Sequence, residues 1–125
     1  MARSLTHREV DEYDHVPREV AVRARLHRVP WLASGAHGMT LGRQVLLRRG
    51  HEENQKLLAH ELAHVHQFAE QGRVRFLARY LAAYTRNLAR LRDHRAAYLA
   101  IPAEVEARDR TAAWILAHPG IIHDG

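Results

Sequence analysis

Leu57-Leu58-Ala59-His60-Glu61-Leu62-Ala63-His64-Val65-His66-Gln67-Phe68 is the stretch on which the reading of this chain turns. Read as a helix, His60 and His64 are about 40° apart around the axis, so both imidazoles can reach one metal ion. Glu61 flanks that ion, where a carboxylate can take a proton from a water held on it. At about 100° per residue, Leu58, Leu62, Val65 and Ala69 form one apolar stripe. Leu57, His60, His64 and Phe68 form a second beside it, with Glu61 between the two. The histidines therefore point into a semi-buried surface, as ligands must, whereas His66 points to nearly the opposite side and cannot join them.

The rest of the composition narrows what such a helix can belong to. A chain of 125 residues makes one domain with a modest core. Hydrophobic content of 46% with 26% charged residues is that of a globular protein, not a disordered one. The chain has no cysteine, which excludes a disulfide framework and thiolate metal sites, so a metal must be held by histidine and carboxylate. No apolar run approaches the ~20 residues of a membrane span. The N-terminus lacks the apolar core of a secretory signal. The expected location is cytoplasmic, and signal-independent export is compatible with it. The net charge of +5 is carried almost wholly by arginine, which fits either an acidic partner or a general preference for arginine over lysine.

Outward from the motif, residues 1–16 read as an N-terminal arm, loose or a short helix, with the acidic patch Asp11-Glu12-Tyr13-Asp14; residues 17–120 read as the domain and 121–125 as a tail. From Val20 to Val29 the apolar residues alternate, which predicts a half-buried strand stopped by Pro30. Met39-Thr40-Leu41 and Gln44-Val45-Leu46-Leu47 flank Gly42-Arg43, a pair suited to a type II′ hairpin. His37 and His51 fall in loops. The motif helix is expected over about 52–71, with Glu52 and Glu53 in its first turn and Gly72 ending it. A second helix is expected over about 74–92, with Leu77, Leu81, Tyr84, Leu88 and Leu91 inward and Arg75, Arg79, Arg86 and Arg90 outward. An arginine stripe can grip phosphates, but a solvated face is the commoner meaning. Asp93 can cap a further turn containing His94 and Tyr98.

A third protein ligand is needed to complete a His-Glu-x-x-His metal site. Ile101-Pro102-Ala103-Glu104-Val105-Glu106-Ala107 opens the last helix and offers two carboxylates. Glu104 shares its face with Ala107, Arg108, Thr111 and Ile115, the face expected to meet the motif helix, while Glu106 points away. Glu104 is therefore the expected ligand, with His94 as its competitor.

Together, the segments at His60–Gln67 and Ile101–Ala107 resemble the gluzincins, zinc metallopeptidases with a glutamate third ligand. The likeness extends to small bacterial zincin-like domains, some of which accompany polymorphic toxins and extracellular contractile injection systems. The resemblance covers about residues 20–117. It implies one zinc ion on His60, His64 and Glu104, Glu61 as general base, and an extended peptide bound by strand addition near Gln44 to Leu47. One position departs from the pattern. Many gluzincins carry an acidic residue four places after the ligand glutamate, where this chain has Arg108. The groups supporting the ligands are thus unassigned, and Tyr98, His94 and Arg108 are the candidates for oxyanion stabilisation or support.

The expected protein is an α+β, zincin-like domain, a small N-terminal antiparallel sheet followed by three or four helices. Its expected function is zinc-dependent hydrolysis of a peptide bond in a peptide or protein substrate. The alternatives are a zinc-binding but catalytically inert docking or structural module of a larger secretion or toxin system, and an arginine-rich nucleic-acid binder. No membrane partner is expected.

Overall fold

Eleven short elements, described over residues 2–120 in a computed structural model, order this chain around one central helix. The 121–125 tail lies outside the described residues. The elements are β1 (Ala2–Ser4), α1 (His7–Glu12), α2 (Arg18–Ala21), β2 (Arg25–Val29), a 3-10 turn at Ala33–Gly35, β3 (Gly38–Leu41), β4 (Gln44–Arg48), α3 (Gln55–Gln71), α4 (Arg73–Leu91), α5 (His94–Leu99) and α6 (Pro102–Ala117).

The protein is α+β with a four-stranded sheet in the order β1-β2-β4-β3. The sheet is mixed rather than antiparallel. The outer pairs β1/β2 and β3/β4 are antiparallel, but β2 and β4 run parallel, with Leu26 beside Val45. The β3–β4 hairpin turns at Gly42, whose φ of +65° is the left-handed value that a II′ turn asks of its first central residue. Because β4 is paired on both sides, its backbone groups are already used. The edges of the sheet are β1 and β3, so the strand Gln44 to Leu47 presents no free edge for strand addition.

The strand expected from Val20 starts only at Arg25. Ala21 and Ala24 are both fully buried, a spacing of three that a helical turn satisfies and an alternating strand does not. Pro17 caps that turn with its fixed φ of −59°.

Nor is the N-terminal arm loose; of the two forms expected, the short helix is the one present. Thr6 and Glu9 close a reciprocal capping box at the start of α1. Leu5, Val10, Tyr13 and Val16 enter the main core with Leu26, Val45, Leu58 and Leu62. Tyr13 stacks on Trp114 at 5.0 Å. The Trp114 indole N–H donates to Glu12 O at 2.7 Å, and Arg110 donates to His15 O at 2.6 Å. His15 Nε2 donates to Ala59 O at 2.8 Å, so the arm is stapled to both α3 and α6. These partners are 44 to 102 residues away in the chain, beyond the reach of any local pattern.

Helix α3 starts at Asn54, whose side chain accepts from Leu57 N, and Glu52 and Glu53 sit in the turn before it. Gly72, at φ +84°, ends α3 and starts α4. The inward face of α4 is not the expected one: Phe76, Ala83 and Asn87 are buried, and Leu77, Leu81 and Leu91 are exposed. Asp93 caps α5 as expected, accepting from Ala96 N at 3.0 Å.

Candidate metal centre

Helix α3 lies between the sheet and α6, which places its two apolar stripes against different neighbours. Leu58, Leu62 and Val65 fill the sheet-side core. His60 and His64 turn towards the first turn of α6, where Glu104 waits. His60 Nε2 lies 3.0 Å and His64 Nε2 3.1 Å from Glu104 Oε1. The three ligand atoms lie within 4.8 Å of one another, and His64 and Glu104 are buried.

The hydrogen bonding of His64 tests whether this cluster suits a cation. Gln67 is 1% exposed. Its Nε2 donates to Ala103 O at 3.0 Å and to Glu106 Oε1 at 2.6 Å. Its amide oxygen is therefore the atom 2.7 Å from His64 Nδ1, and that nitrogen must be the donor. A neutral His64 then aims the lone pair of Nε2 at a carboxylate oxygen. Two acceptors at that distance repel unless a proton or a metal ion lies between them. Burial lowers the His64 pKa, and the hydrogen bond and charge of Glu104 more than offset it, so the net shift is upward. Burial raises Glu104, but the hydrogen bonds from His60 and His64 dominate and hold it far below the usual carboxylate range. Two imidazoles and an ionised carboxylate are a donor set that fits zinc.

Three partners of this site escaped the sequence reading. Gln67 fixes the His64 ring. Tyr80, on α4, donates its hydroxyl to Glu104 Oε2, and burial together with that carboxylate pushes its pKa up. Thr40, on β3, donates to Glu61 Oε1 at 2.7 Å. Of these, only Gln67 left a trace in sequence, three residues after His64 on the same helix. Glu61 itself is buried, which raises its pKa against the lowering effects of His64 and Thr40. Gly38 makes room for it: a Cβ there would meet Glu61 Oε2 at 3.1 Å.

The remaining candidates separate. Tyr98 is near enough to Glu104 and Glu61 that burial and their charges raise its pKa, yet it is 42% exposed, at the rim. Arg108 donates to Leu99 O at 2.6 Å and secures the end of α5. His94 pairs through Nδ1 with the Tyr84 hydroxyl and does not join the ligand cluster. Glu106 lies outside the His60, His64 and Glu104 group and is exposed as expected, but it holds Gln67. His66 faces away and approaches Glu70 at 3.5 Å. His37 and His51, expected in loops, stack on each other at 3.9 Å.

The fold and site thus define a small α+β domain with a His/His/Glu cluster between two helices. A family model described as the eCIS core domain, that of extracellular contractile injection systems, matches residues 18–72. The matched segment runs from α2 to the end of α3 and is less than half of the chain. No curated protein and no solved structure matches.

Proposed function

We propose that this chain is a zinc-holding, zincin-like module of an extracellular contractile injection system, in which the ion ties α3 to α6. The carrying observation is the His64 ring, whose Nδ1–H is committed to Gln67 while its Nε2 faces Glu104 Oε1 at 3.1 Å. The match over residues 18–72 supports the injection-system setting. Elemental analysis of the purified protein tests the reading. About one zinc per chain is expected, with none in His60→Ala or His64→Ala. Wild-type zinc in His60→Ala removes the site assignment.

Hydrolysis is the second reading, favoured by Glu61, which Thr40 holds at 2.7 Å one residue from His60. Zinc, when bound, would supply Lewis acidity to a peptide carbonyl and lower the pKa of water. Glu61 would take the proton of the attacking water and deliver it to the leaving amine. An extended substrate would add to the free edge at β3. A peptide-library screen with and without chelator tests this: Glu61→Gln should keep zinc and fold while losing at least ~10²-fold in turnover. If the wild type cleaves nothing, the module is structural.

A further inference from the structure

Between Arg73 and Ala100 the chain carries seven arginines against the single acidic residue Asp93, a net +6, whereas the whole chain is only +5. The entire positive excess thus resides on α4 and α5. Among the described residues none of these arginines makes an ion pair. Helix α4 also exposes apolar side chains, with Val74 at 84% and Leu81 at 60%.

At about 100° per residue the helix sorts into one inward row and three outer ones. Phe76, Tyr80, Ala83 and Asn87 face inward. Of the outer half, Val74, Leu77 and Leu81 form one edge and Arg75, Arg79, Arg86 and Arg90 the other. Between them runs a crest of Ala78, Ala82, Thr85 and Ala89, all exposed and none larger than threonine. Small residues on a crest let a second helix approach to about 8 Å, close enough to touch both edges.

We propose that the outer face of α4 docks an amphipathic helix of a partner protein, with apolar side chains along one edge and carboxylates along the other. Arg75 to Arg90 span roughly 22 Å at 1.5 Å per residue, so the docked helix is about four turns long. A lipid surface fits less well, because an interfacial helix centres its apolar residues towards the bilayer, whereas here the arginines occupy a single flank. Nucleic acid would engage the arginine row and leave Leu81 and Val74 in water. A second copy is opposed by symmetry: an antiparallel two-fold pairing sets arginine row against arginine row, and a parallel one sets each arginine row against leucine and valine.

The test uses the full chain and a synthetic helical peptide of about 20 residues, with leucine on one edge, alanine on the crest and glutamate on the other edge. A scrambled peptide of the same composition is the control. Fluorescence anisotropy should show saturable binding of the designed peptide, with the scrambled one at least ~10-fold weaker. Leu81→Asp and the double variant Arg79→Glu/Arg86→Glu should each weaken binding by ~10-fold or more. Both sites are solvent-facing, and thermal melts confirm that the variants fold. Absence of saturable binding, equal binding of the scrambled peptide, or tighter binding to 3:1 phosphatidylcholine/phosphatidylserine vesicles or to duplex DNA each overturns the proposal.

Discussion

Helices α3 and α4 are consecutive, nearly equal in length at 17 and 19 residues, and separated by Gly72 alone, yet α3 buries nine residues and α4 three. The difference lies in their surroundings. The sheet, α6 and α2 enclose α3, so even its polar residues Glu61, His64 and Gln67 lie inside and each finds a partner there. One face of α4 rests on the rest of the protein, and the remainder meets solvent with arginines that make no ion pair among the described residues. Buried polar groups are costly unless satisfied, so a chemical site is economical on α3. An exposed helix is free to carry a recognition surface.

The contrast can be broken most forcefully at the leucines. Leu62→Ala, at a fully buried position of α3, should cost about 2–5 kcal/mol in denaturant unfolding. Next in size is Gln67→Ala, which orphans the His64 ring. Zinc affinity measured by competition with a chelating dye should fall by about 10–100-fold, the usual effect of losing the partner that orients a ligand. An unchanged affinity would mean that Gln67 serves α3–α6 packing alone.

A smaller effect concerns the arm packed beside α3. Burial lowers the pKa of His15 below its ordinary 6.5; the Ala59 carbonyl and Asp14 oppose this, and Arg110 and His118 add to it. The stability that His15 confers is therefore complete above pH 6.5. It is lost as pH falls towards the folded value, because the unfolded chain takes the proton first. Within that window stability should fall by at most ~1.4 kcal/mol per pH unit. Unfolding in chelator, which removes any metal contribution, should show a slope of this sign, to which His66, its pKa also lowered chiefly by burial, adds, and His15→Gln should reduce it. The smallest effect belongs to α4: Leu81→Ala should change stability by no more than about 0.5 kcal/mol. A loss like that of Leu62→Ala would show that the outer face of α4 is part of the core.

What was legible in the sequence follows the same division. His60, Glu61 and His64 lie within one helical turn, so their spacing alone brings them together. Glu104 followed from the apolar face it shares with Ala107 and Thr111. The Gly42 turn followed from a two-residue loop. Contacts between distant segments were not legible: Thr40 to Glu61, Tyr80 to Glu104, and the arm to Ala59 and Trp114. Periodicity also misplaced α4, because Phe76, Tyr80, Ala83 and Asn87 form one stripe and Val74, Leu77, Leu81 and Leu88 another. Nothing local says which meets the core. The parallel pairing of β2 with β4 was hidden for a related reason, since β3 intervenes in sequence but lies outside both in the sheet.

The central claim, that one ion joins α3 to α6 through His60, His64 and Glu104, is tested most directly by the melting temperature of metal-free protein before and after zinc is added. A ligand that binds only the folded state at ~100 times its Kd contributes about 2.7 kcal/mol, on the order of 10 °C for a domain of this size. The account predicts a rise of that order in the wild type and a much smaller one in Glu104→Gln. An unchanged melting temperature with zinc uptake confirmed, or an equal rise in Glu104→Gln, would contradict it.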